Sequence, residues 1–267
     1  MRRGLFALVV VPLAFVVAPA RGDNPPLSLL NCDNSGYEDS FGRCTPLHPG
    51  DAVSFPGFYC TLNFLWMDPR GNRYFGTAGH CTLGSPVGTV AGDGLTRPIG
   101  RLVYTLWDPT DDSRDFALVK LFPGVKASGE VRHWGGPTAA FTGFDPAPQV
   151  MCVFGEADGL SVAAGPRTLV ATAITQPAIL LVNGALSYGD SGAPVVRSDG
   201  TAVGWVESLQ DTTHDPVYAA HGGVELGEEV VTRIGPAVKA AEKALHVRLS
   251  LVTTRRQSCK DALPSVP

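Results

Sequence analysis

Short apolar and β-branched runs alternate along this chain with clusters of Gly, Pro, Asn and Asp, the pattern of strands joined by turns. Phe58–Trp66, then Asp68-Pro69-Arg70-Gly71-Asn72, then Arg73-Tyr74-Phe75 reads as strand, turn, strand. Leu102-Val103-Tyr104 and Phe116–Phe122 complete a first set of strands. Gly135-Gly136-Pro137 and Asp145-Pro146-Ala147-Pro148 break the pattern, which places a linker over residues 123–148. A second set follows at Val150–Phe154, Thr168–Thr175, Ile179–Val182, Pro194–Val196 and Ala202–Glu207. Near the C-terminus the period changes. Val230, Ile234, Val238, Ala241 and Leu245 recur close to the helical spacing, which predicts an amphipathic helix over Glu228–His246, with Pro236 marking an interruption or a fresh start. Residues 21–50 are polar and turn-rich, an N-terminal arm or a short pro-segment.

Composition narrows this picture. The 267 residues, 44% hydrophobic and 17% charged, can bury one large core or two small ones, and 31 Gly with 22 Pro suit an all-β domain better than a helical bundle. A net charge of −4 supplies no basic surface for phosphates, so nucleic acid is not an expected partner. Arg2-Arg3 precedes an apolar run from Leu5 to Val17, and Ala18-Pro19-Ala20 is a small-x-small cleavage site, so residues 1–20 read as an export signal. That run is shorter than the ~18–20 residues a membrane span requires. The mature chain is expected to be secreted, extracellular or periplasmic, with no membrane association. Six cysteines in an exported chain argue for disulfides, in any of fifteen pairings on arithmetic alone; Cys32 and Cys44 are near enough in sequence to close a small N-terminal loop. Asp108, Asp111 and Asp112 match no ion-binding template, and His48, His133, His214, His221 and His246 show no metal-ligand spacing. No metal or cofactor is implied.

Three segments carry chemistry. Gly189-Asp190-Ser191-Gly192 sets a serine on a glycine-flanked turn, Thr77-Ala78-Gly79-His80-Cys81 supplies an imidazole, and Arg114-Asp115-Phe116 opens an apolar run with a carboxylate. A serine hydroxyl is a weak nucleophile unless a base lies within hydrogen-bond reach and a third group orients that base. His80 suits the base, Asp115 the orienting acceptor and Ser191 the nucleophile. Gly189 permits the sharp turn that would aim the amides of residues 189 and 191 at a developing oxyanion. Asp190, if buried beneath the turn, needs a cationic partner. The chain order His, Asp, Ser is the one used on the two-barrel scaffold and differs from the orders of subtilisins and α/β-hydrolases.

With these motifs the chain resembles the trypsin/chymotrypsin-like serine proteases, most of all their bacterial secreted members, over roughly residues 50–250. The resemblance implies an all-β fold of two packed six-stranded antiparallel β-barrels with a C-terminal α-helix. The protease domain would span 51–250, with barrel 1 at about 51–125, barrel 2 at about 148–250 and a tail at 251–267. It implies a serine endopeptidase acting on protein or peptide substrates through an acyl-enzyme, and a monomer. Cys60 and Cys81 match the bridge the family places beside its histidine, which leaves Cys152 and Cys259 to pair by elimination. No Arg-Ile-Val-Gly-Gly-like activation segment precedes Phe58, so Asp190 is expected to use an internal arginine, and Arg167 is the candidate. Its loss is expected to cost activity more than fold. Ala185 occupies the pocket-base position, six residues before the nucleophile, and favours a small-to-medium apolar side chain over Lys or Arg. Two rival readings share the scaffold: a catalytically silent binding module, and an esterase or protease of narrow specificity.

Overall fold

In the computed structural model, the described residues are 37–38, 44–93, 97–143, 149–155, 165–174, 178–182, 186, 189–210 and 228–255. Residues 1–20, read from the sequence as an export signal, and Cys32, most of the N-terminal arm, Ala185 and Cys259 lie outside them.

Alternation sets the first sheet. Strand β1 (Tyr37–Glu38) pairs with β2 (Cys44–Thr45) as a separate ribbon. The chain then runs through β3 (Ala52–Phe55), β4 (Phe58–Thr61), β5 (Leu65–Met67), β6 (Arg73–Thr77), β7 (Val90–Gly92), β8 (Pro98–Trp107) and β9 (Asp115–Leu121). Along β8 buried Leu102 and Tyr104 alternate with partly exposed Arg101, Val103 and Thr105, so one face packs inward and the other meets solvent. In β9, Phe116 to Val119 are all buried, as in a strand covered on both faces.

The second body holds β10 (Gln149–Gly155), β11 (Gly165–Ile174), β12 (Ala178–Val182), β13 (Pro194–Arg197), β14 (Ala202–Gln210) and β15 (Glu228–Arg233). These six close into an antiparallel barrel in the order β10-β11-β12-β15-β14-β13. Helix α1 (Ile234–Leu245) and strand β16 (Ser250–Leu251) complete the chain. Between β9 and β10 no strand or helix forms among the described residues.

Three details depart from the sequence reading. The first sheet has eight strands rather than six, in the order β16-β5-β6-β9-β8-β7-β3-β4, one of them added where the chain beyond residue 249 returns to pair Leu251 with Trp66. The run Phe58–Trp66 is two strands. It bends at Leu62–Phe64, where Leu62 N–H donates to Asp51 O and Asn63 N–H to Gly76 O, so the chain crosses a corner and draws the β4 edge against β6. Finally, Glu228–Arg233 is strand rather than helix. Val230, Val231 and Thr232 are β-branched and pair with both β12 and β14 inside the barrel, which overrides the apparent helical period. The helix starts afresh at Ile234, with Pro236 in its first turn, where a backbone N–H has no intrahelical partner to lose.

The two bodies share a core. Trp205 of β14 stacks on Phe116 of β9 with ring centroids 4.5 Å apart, and Ile234, Ala237, Val238 and Ala241 of α1 join the same apolar cluster. A second cluster, including Met151, Val153, Leu169, Val195 and Val231, fills the closed barrel. The linker is lashed to the first sheet: Arg132 pairs with fully buried Asp51, and Leu47 exchanges backbone hydrogen bonds with Lys126 and Ser128.

Candidate active site

Strand β6 delivers Thr77 and Ala78 into a single 3₁₀ turn, His80–Thr82. Gly79 is fixed by close approach, since a Cβ there would lie 2.1 Å from Leu106 O. The turn leaves the His80 side chain about one-fifth exposed, while Asp115, the first residue of β9, is wholly buried.

The two residues meet twice. His80 N–H donates to Asp115 Oδ1 at 2.8 Å, and ring Nδ1 lies 2.9 Å from Oδ2. Since an ionised carboxylate only accepts, the proton belongs on Nδ1, and Nε2 is left with a lone pair. Asp115 is held in turn: the Trp205 indole N–H donates to its backbone carbonyl at 2.8 Å, tying the second barrel to the base of the site.

The serine turn is gripped from the first sheet. Thr61 N–H donates to Ser191 O at 2.9 Å, and Thr61 Oγ1 donates to Gly189 O at 2.7 Å. Gly189 and Gly192 adopt φ of 96° and 90°. At Gly192 any Cβ would lie 2.2 Å from Thr61 O and 2.6 Å from Thr77 Oγ1, so no larger residue fits against β6. Cys60 and Cys81 are bridged, and Cys81 Sγ lies 3.9 Å from Ser191 O, which puts the serine backbone beside the histidine segment. The sulfurs of this bridge also lie within 4.8 Å of a His80 ring nitrogen, but as a disulfide they are not metal ligands. Among the described residues no hydrogen bond joins Ser191 Oγ to His80. Such bonds are often long until substrate draws the groups together.

Beneath the turn, wholly buried Asp190 receives both guanidinium nitrogens of Arg167: NH1 to Oδ2 at 2.5 Å and NH2 to Oδ1 at 2.7 Å. This is the fork geometry that best compensates a buried carboxylate. Arg167 stands on β11 opposite Val153 of β10, so the barrel wall itself delivers the cation.

Of the residues read from the sequence, the structure thus brings together His80 with Asp115, Asp190 with Arg167, Cys60 with Cys81, and the Gly189–Ser191 turn with the histidine segment. Cys152 is disulfide-bonded. Sequence reasoning missed Thr61 and Trp205. Both act through hydrogen bonds across more than 80 positions of sequence, and no local pattern announces them.

Two curled antiparallel β-bodies and a C-terminal helix match the chymotrypsin-like fold. Solved structures that match it include bacterial serine proteases. Thermobifida fusca protease A superposes with a TM-score of 0.56 at 18% identity, covering 79% of this chain and 100% of its own. A glutamic acid-specific serine protease that uses a histidine triad in substrate binding gives 0.54 at 19%, covering 78% of this chain and 100% of its own. A Nocardiopsis protease gives 0.54 at 18%, covering 77% and 99% respectively. No protein-family model and no curated protein matches the sequence.

Proposed function

We propose that the chain is a secreted serine endopeptidase that cleaves peptide bonds with Ser191, His80 and Asp115 through an acyl-enzyme. The observation that carries this is the paired hydrogen bonding of His80 to buried Asp115, which leaves Nε2 as the free basic nitrogen. Ser191 Oγ attacks the scissile carbonyl carbon while its proton passes to Nε2; the resulting imidazolium is stabilised by the adjacent carboxylate. The carbonyl oxygen becomes an oxyanion, received by the amides of Gly189 and Ser191, a pair of donors each worth about 10²–10³-fold in rate. Collapse expels the amine, protonated by His80, and leaves an ester on Ser191. Water, deprotonated by the same imidazole, hydrolyses that ester and restores the enzyme.

The Arg167–Asp190 pair supports a turn that is formed on folding, with no need of a newly cut N-terminus. The Arg2–Ala20 export pattern and the Cys60–Cys81 bridge favour an extracytoplasmic location. Among the described residues no helix is long and apolar enough to cross a membrane. Ala185 favours a small-to-medium apolar side chain at the cleavage site.

Incubation with unstructured casein tests the reading. Wild-type protein is expected to yield internal fragments, and Ser191→Ala none. Hydrolysis of a small activated ester without casein fragments would replace the endopeptidase by an esterase.

A further inference from the structure

A groove of about 510 Å³ opens at the end of the first sheet, lined among others by Arg73, Arg101, Lys120, Phe122 and Pro123 and, among the described residues, by no carboxylate. Lys120 lies five residues along β9 from Asp115, roughly 17 Å at strand spacing, so the groove is separate from the candidate active site.

Register makes the concentration of charge costly. Arg101 of β8 stands directly opposite Lys120 of β9, and like charges facing one another across an antiparallel pair are destabilising. Among the described residues the Lys120 side chain has no hydrogen-bond or ion-pair partner. The guanidinia are held in place: Arg73 donates to Val125 O at 2.5 Å, while Arg101 donates to Gly88 O at 3.0 Å and lies 5.6 Å from the Phe122 ring centroid. Three cations thus line one groove on a chain whose net charge is −4. Cations gathered along one groove favour an anionic occupant.

We propose that this groove is an exosite for an acidic stretch of polypeptide, Asp/Glu-rich, supplied by the substrate protein and bound remote from the bond that is cut. The carboxylates would bridge Arg101 and Lys120, with exposed Pro123 beside them. The identity of the occupant as substrate rests on the protease reading above; the binding itself does not.

The test uses the full chain as Ser191→Ala, so that bound peptide is not cut, with fluorescein-labelled hexaglutamate as probe and labelled hexaglutamine as control. Hexaglutamate is expected to bind and hexaglutamine not, with an affinity that falls as salt rises. Lys120→Glu is expected to weaken binding by about tenfold or more, by replacing attraction with repulsion. Lys120→Gln guards against a folding defect in that variant: relieved of its facing charge, the free protein should melt no lower than wild type while binding hexaglutamate more weakly. Unchanged binding in both variants, or none in the parent, overturns the proposal. Displacement by inorganic phosphate as effective as by unlabelled hexaglutamate also overturns it, in favour of a phosphate site. Fluorophosphonate labelling of the wild-type chain keeps the two readings apart. Labelled protein without hexaglutamate binding removes the exosite alone; unlabelled protein that binds hexaglutamate removes the substrate assignment.

Discussion

His80 is oriented by two contacts to one carboxylate, through its backbone amide and through its ring, so both the position and the tautomer of the imidazole depend on Asp115. Asp115→Asn would offer an amide N–H where Nδ1–H needs an acceptor and would turn the tautomer over. The turnover number is expected to fall by about 10⁴-fold with the fold unchanged, as steady-state kinetics and circular dichroism would show. Arg167→Ala acts differently. It strands a wholly buried carboxylate, which typically costs about 3–5 kcal/mol. The sequence reading expected activity to suffer more than fold; burial of Asp190 puts a large stability loss beside the lost activity. Denaturant unfolding is expected to show the lower midpoint, and fluorophosphonate labelling the slowed reaction at Ser191.

At the scale of elements, the candidate site is a meeting of turns held by strands. Gly192 sits where the serine turn crosses β6, and the positive φ alone would cost a non-glycine residue about 1–3 kcal/mol. Gly192→Ala adds a collision with Thr61 O and Thr77 Oγ1, so the variant is expected to lose both thermal stability and labelling. The strands that flank the motifs were legible because alternation and turn residues agree there. Pro98–Trp107 contains the apolar run read at Leu102–Tyr104, and Asp115–Leu121 covers all but the last residue of Phe116–Phe122. Glu228–Arg233 was not legible, since a strand buried between two neighbours lacks alternation and its valines mimic a helical stripe. The bend at Leu62–Phe64 was equally hidden, because its cause is a hydrogen bond to Gly76, thirteen residues on from Asn63 and in another strand. The His, Asp and Ser segments stood out because glycine-flanked motifs are local; the Thr61 and Trp205 contacts that position them are not.

Taken as a whole molecule, two bodies are clamped across a single site. The Cys60–Cys81 bridge closes 21 residues around the histidine turn, and on the chain-entropy model such a loop is worth about 3 kcal/mol. Cys60→Ala/Cys81→Ala is therefore expected to melt lower in calorimetry, with slower labelling because Cys81 also lies against Ser191. The bodies are joined further by Trp205 on Phe116 and by β16 on β5, so the C-terminal strand is part of the fold that holds the site. The central claim is that this assembly makes one serine hydroxyl reactive through one imidazole. Mass spectrometry of the folded protein after brief exposure to a fluorophosphonate measures that directly. The account predicts a single phosphonyl adduct on Ser191, absent from His80→Ala; an unmodified Ser191, or equal modification when His80 is gone, would contradict it.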